Sequence, residues 1–208
     1  MGRWKVFLLL PLVLALSLPV VAAEYYEDSE GNLRLENEYI AIFINQGPEN
    51  KGRFALDVTG GDPLREDDNN KPLIYGHPRP WTSYTTVRID GENFVFGGET
   101  NRRAGRDAQY GEVVRPPEIV NGQKLVTETQ FGEIMVTQEL SFKESTTTGL
   151  PDTARITYKV ENLGEDSSRI GMRVMLDTML GANDGAPFRV KDEEIDRDKV
   201  LIRDEIPE

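Results

Sequence analysis

The chain has 208 residues, no cysteine, one histidine (His77) and a formal net charge of −12 at pH 7. This inventory excludes disulfide cross-links and any zinc site built on two or more His or Cys ligands. A surface of this sign repels nucleic acid and anionic lipid, so no nucleic-acid partner is expected.

Met1 to Lys5 carries two positive charges, Arg3 and Lys5, and Val6 to Val21 is apolar apart from Ser17. Val21-Ala22-Ala23 then offers small side chains ahead of the polar run Glu24-Tyr25-Tyr26-Glu27-Asp28. A positive start, a short apolar stretch and a small-residue site are the three parts of a secretory signal. Residues 1–23 are therefore read as a signal peptide, and the chain as exported to the extracellular space, periplasm or cell surface. Spanning hydrocarbon takes about 20 apolar residues. This stretch is shorter and contains Pro11 and Pro19, so no membrane span is expected after cleavage. Residues 24–208 are expected to form a single domain, either whole or as the N-terminal part of a longer protein. The absence of both Cys and Asn-x-Ser/Thr sequons fits a bacterial or archaeal envelope.

Strand patterns followed by turn signals recur along this domain. Glu38 to Asn45 (EYIAIFIN) is rich in β-branched and aromatic residues, and Arg53 to Thr59 alternates Phe54, Leu56 and Val58 on one face before Gly60-Gly61-Asp62-Pro63. Asp62 to Lys71 reads as an acidic loop, Pro72 to Tyr75 as a short strand, and His77-Pro78-Arg79-Pro80 as too proline-rich for a ladder. Thr82 to Ile89, Asp90-Gly91 and Asn93 to Phe96 predict a hairpin, because Asp-Gly between two β-prone runs favours a tight turn. Gly97 to Gly111 reads as loop. Lys124 to Phe131 and Glu133 to Phe142 predict a second hairpin around Gly132. Ala154 to Glu161, Arg169 to Leu176 and Lys199 to Arg203 complete the set. In the second of these, Ile170, Met172, Val174 and Leu176 share one face. Eight or nine strands with short connections predict an all-β fold, an antiparallel two-sheet β-sandwich with few or no helices.

Candidate chemistry is limited to oxygen donors, aromatics and arginines. A Ser-His-Asp site would have to use His77, whose place between Gly76 and Pro78 reads as a loop histidine. Asp177, at the end of a strand, and the Asn183-Asp184-Gly185 turn put two carboxylates and an amide near one sheet end. Such donors suit Ca²⁺ or sugar hydroxyls, and equally suit loop capping and turn formation. Asp177 and Asp184 are the first guess for a metal site and for a paired-carboxylate glycosidase. Asp57, Asp62, Glu66, Asp67, Asp68, Asn69 and Asn70 form a second acidic cluster, read as a solvated loop. Tyr75, Trp81 and Tyr84 flank the proline-rich segment and are candidates for stacking on a sugar ring, with core filling as the competing role. Arg79, Arg88 and Arg173 could pair with a ligand's carboxylates or with the protein's own acids.

Three sets of residues carry a resemblance: Tyr158 to Asn162 with Ile170 to Thr178, Arg53 to Leu56 with Thr59 to Leu64, and Trp81 to Thr86. Over most of residues 35–190 they resemble exported bacterial β-sandwich proteins of uncharacterised function. The strand ending in Val160-Glu161-Asn162 before a second core strand is also similar, loosely, to the supersandwich domains of galactose-mutarotase-like proteins. That second likeness implies carbohydrate processing. The mutarotases' catalytic His has no match here, so no catalytic residue is carried over. The expected function is an exported envelope or extracellular binding or structural module for a glycan or cell-wall component. Its candidate ligand-binding residues are Tyr75, Trp81, Tyr84, Arg173, Asp177, Asn183 and Asp184. A carbohydrate-active hydrolase is the alternative. Ca²⁺ is the one cofactor the oxygen donors would suit, and nothing in the sequence sets the oligomeric state.

Overall fold

The structure, a computed structural model, describes residues 23–102, 107–185, 188–190, 193–195 and 197–202. The signal-peptide reading therefore falls, apart from Ala23, outside the described residues. Within them the chain is all-β, with no helix.

Four strands open the domain: β1 (Glu24–Glu27), β2 (Asn32–Glu36), β3 (Ile40–Asn45) and β4 (Phe54–Val58). They pair in chain order as one antiparallel sheet. β5 (Tyr84–Ile89), β6 (Glu92–Val95) and β7 (Gln109–Tyr110) follow, and β12 (Ile170–Met175) joins them in the order β12-β5-β6-β7. β8 (Glu112–Val120), β9 (Lys124–Phe131), β10 (Ile134–Lys143) and β11 (Thr153–Asn162) make a sheet in the order β11-β10-β9-β8. A small hairpin, β13 (Phe188–Val190) with β14 (Glu193–Ile195), ends the series.

Both expected hairpins form where their turn residues direct. Asp90 and Gly91 adopt φ of 49° and 102°, the left-handed values that a two-residue turn between twisted strands requires. Gly132, at φ 60°, links β9 to β10 with Phe131 opposite Ile134. The antiparallel expectation needs one correction. β6 and β7 run parallel over Phe94↔Gln109 and Val95↔Tyr110, because β7 arrives after a long excursion and not through a tight turn. β8 is absent from the sequence reading because Pro116 and Pro117 sit inside it. As an edge strand with register shifts beside Arg115, it tolerates residues that cannot donate to a ladder. Lys199 to Ile202 forms no strand.

The core is sorted by the twofold alternation of β9 and β10. Cross-strand pairs Leu125↔Leu140, Thr127↔Gln138, Thr129↔Val136 and Phe131↔Ile134 run along one face, and all eight side chains are buried. At one end Leu125 and Leu140 share a cluster with Leu35, Ile42, Ile44 and Phe54 of the first sheet. At the other, Phe131, Ile134 and Val136 share a cluster with Val87 and Phe96. Between them lies a polar belt. Gln138 Nε2 donates to the Tyr158 hydroxyl at 2.8 Å, and that hydroxyl is 2.5 Å from Thr85 Oγ1 on β5. Burial raises the Tyr158 pKa, opposed by its hydrogen bonds to Thr85 and Gln138.

Leu140 is 1 % exposed and joins two sheets through one side chain. Leu140→Ala is expected to cost about 2–5 kcal/mol in urea unfolding, the range for leucine truncation in a packed core.

Candidate functional site

The site is assembled by backbone pairing around residues 72–84. Proline at 72 has no N–H, so this stretch makes isolated bridges instead of the expected short strand. Asp57 bridges Pro72 on one side and Thr178 bridges Ile74 on the other. Leu73 N donates to Leu56 O, Tyr75 N to Asp177 O and Met179 N to Leu73 O, each at 2.8–3.0 Å. The segment thus sits between β4 and the residues that leave β12. Asp177 N donates to the buried Ser83 Oγ at 2.9 Å, tying the same point to the start of β5.

The proline-rich turn is fixed by side chains from the first sheet. His77 Nδ1 lies 2.7 Å from Asp57 Oδ1, and the imidazole meets Phe43 edge-on with centroids 4.8 Å apart. Asn45 Nδ2 donates to Pro78 O at 3.0 Å and Arg79 reaches Glu30 at 3.3 Å. His77 is therefore a clasp holding the turn on β4. Asp57 leaves the acidic cluster to serve it; within the rest, Asp62 N donates to Asp68 Oδ2, Leu64 N donates to Asp62 Oδ1, and Asp67 pairs with Arg65.

Two sequence candidates read as separate features, the aromatics and the Asp177 strand end, are thereby brought together. Tyr75 and Trp81 are half-buried with ring centroids 5.9 Å apart, inclined at 47°. Gly76 makes this approach possible: its φ is 80°, and a Cβ there would lie 2.5 Å from Trp81 Cδ1. Tyr84 pairs with Met175, and Arg173 sits opposite Thr86, so Arg173 is on the same sheet face as Tyr84, one diagonal step away. Asn183 does not join this group through its amide. Its Oδ1 accepts from Gly185 N at 3.0 Å, and its backbone closes a turn with Leu180. Asp184 is exposed on that turn. No group of three or more His, Cys, Asp or Glu side chains capable of holding a metal occurs among the described residues. Ca²⁺ at Asp177 and Asp184 would need backbone carbonyls for its remaining ligands.

Beside this face lies a small depression with room for about one water-sized group, about 10 Å³. Its lining includes Arg53, Ser83, Tyr84 and Gln138, with Val174 and Leu176 of the β12 end. Sequence reasoning missed Arg53, Ser83 and Gln138 as site residues. Gln138 carried a signal, a polar residue on the Ile134, Val136, Leu140 face of an alternating strand. Arg53 carried none, since it reads as the charged flank of a strand. Met172, Val174 and Leu176 lie on the face that Val87 and Thr85 bury, yet all three are exposed, so β12 is less covered than its alternation implies.

Gly76→Ala is expected to displace the Trp81 indole, shifting the tryptophan emission of residues 24–208 to longer wavelength. It should lower stability by about 1–2 kcal/mol, the cost of a left-handed conformation at a residue with a Cβ. Unchanged emission and stability would contradict the packing described. The chain matches no known protein-family profile, curated protein or solved structure.

Proposed function

We propose that this chain is an exported glycan-binding module, a two-layer β-sandwich of the supersandwich type. Its binding face comprises Tyr75, Trp81, Tyr84, Arg173 and Asp177. The observation that carries this reading is the convergence of a half-buried Tyr75–Trp81 pair on the Asp177 strand end. Sugar rings present apolar C–H faces ringed by hydroxyls. A tilted aromatic pair answers the first, and the polar side chains of Asp177 and Arg173 answer the second. The clusters that join Leu125 and Leu140 to the first sheet, and Phe131 and Val136 to β5, support the two-layer arrangement. The leader pattern of residues 1–23 supports export, which would expose this face to envelope or extracellular glycans.

The module is expected to bind a subset of a glycan array or an insoluble cell-wall polysaccharide. Trp81→Ala should weaken that binding by about thirtyfold, the effect of losing a central aromatic anchor worth about 2 kcal/mol. Equal binding by wild type and Trp81→Ala, with the variant folded, would remove Trp81 from the binding face.

A further inference from the structure

β12 ends the order β12-β5-β6-β7, so one long side of it has no neighbouring strand among the described residues. Asp90 N donates to Arg169 O, which turns the backbone of Arg169, and by alternation that of Gly171, Arg173 and Met175, toward β5. The N–H and C=O groups of Ile170, Met172 and Val174 therefore point away from the sheet. Sheets guard such edges with proline, bulges, inward charges or short length. The edge strand β8 has Pro116, Pro117 and register shifts, and the edge strand β1 has only four residues. β12 contains no proline and pairs with β5 in unbroken register over all six residues.

The two faces of this edge differ in chemistry. Ile170, Met172 and Val174 lie on the face of the buried Val87 and Thr85, yet Met172 is 37 % and Val174 43 % exposed. The other sheet is also open here. β11 is its last strand, and Tyr158 and Val160 of β11 pack with Ile170 against one cluster while staying only partly buried. The opposite face of β12 is basic. Arg88 of β5 stands opposite Gly171, and Arg169 and Arg173 share the face of that glycine on its own strand. All three arginines are exposed, and none forms an ion pair among the described residues. In a chain of net charge −12 this is a local reversal of sign.

We propose that the free edge of β12 binds an extended peptide whose side chains alternate apolar and acidic, adding it as an antiparallel strand. In that pairing the peptide residues opposite Ile170, Met172 and Val174 exchange both backbone hydrogen bonds with them and share their face. Apolar side chains at those positions cover Met172 and Val174. The alternate carboxylates then fall on the face of Arg88, Arg169 and Arg173, whose guanidinium forks suit them. A second β12 is the poorer occupant, because it would gather two sets of these arginines on one face, and like charges on adjoining strands repel. The inference does not depend on glycan binding.

The test is fluorescence anisotropy titration of the purified chain with labelled peptides long enough to span β12. One alternates valine with glutamate, one alternates valine with lysine, and two are the glutamate peptide N-methylated either at its valines or at its glutamates. The glutamate peptide is expected to bind at least about tenfold more tightly than the lysine peptide, and to weaken as salt is raised. Methylation at the valines, whose N–H groups face β12, should abolish binding, and methylation at the glutamates should preserve it. Arg88→Glu with Arg169→Glu should reverse the preference toward the lysine peptide; Arg173 is left intact because it also belongs to the proposed glycan face. If that double variant does not fold, the methylated peptides decide the matter on the unaltered chain. Equal binding by the two methylated peptides would overturn strand addition, and equal binding by the glutamate and lysine peptides would overturn the acidic partner. Binding by none of the peptides would overturn both. Dimerisation of the chain alone, with the amides of Ile170, Met172 and Val174 protected from exchange, would make a second copy the occupant and overturn the acidic strand.

Discussion

One face of the β9–β10 hairpin sets the terms for the rest of the molecule. Its inward positions run Leu125 and Leu140, Thr127 and Gln138, Thr129 and Val136, Phe131 and Ile134, each pair directly opposed. Both ends of that row are apolar and enter separate clusters, one with β2, β3 and β4, the other with β5 and the residues after β6. Because side chains alternate with a period of two, a one-residue slip of either strand would turn its four inward side chains outward. The Gly132 turn, with Phe131 opposite Ile134, holds the register.

The middle of the same row is polar, and this is where fold and site meet. Thr127, Thr129 and Gln138 are almost wholly buried, and the Thr127 and Thr129 hydroxyls lack partners as Gln138 Oε1 does. Gly52 passes over Thr127 so closely that a Cβ would stand 3.1 Å from its methyl group, and the chain continues at once into Arg53. Gly98 N donates to Lys51 O, so the chain leaving β6 meets the chain entering β4 above this belt. The apolar ends supply stability, while the belt carries polar groups whose burial costs free energy unless something satisfies them. These unmet polar groups gather where the chain entering β4 crosses the β9–β10 face.

Much of this architecture is legible in the residues. Asp90-Gly91 and Gly132 announce their turns, and the alternations Phe54-Leu56-Val58 and Ile156-Tyr158-Val160 announce strands, because these signals are local. Three things were not legible. Pro116 and Pro117 disguise β8, since only the sheet's edge makes proline harmless there. The β1–β2 pair carries its apolar residues too sparsely for a strong period, and it is held by register with β3. The exposure of β12 depends on which strands cover it, a property of the assembled sheets. At the site, Tyr75, Trp81 and Asp177 stood out as types, yet their proximity rests on backbone hydrogen bonds between segments about a hundred residues apart. His77 read as a loop residue and is one, but its contact with Asp57 could not be foreseen from spacing.

The claim that everything is built on the β9–β10 face is tested most directly by native-state amide hydrogen exchange. Strands paired on both sides and buried on one face exchange only on global opening. The account predicts that amides in Lys124–Phe131 and Ile134–Lys143 are the slowest in the domain, with 72–84 and the free edge of β12 exchanging by local opening. Slowest exchange in β12 or in the 72–84 segment, with β9 and β10 opening early, would contradict it.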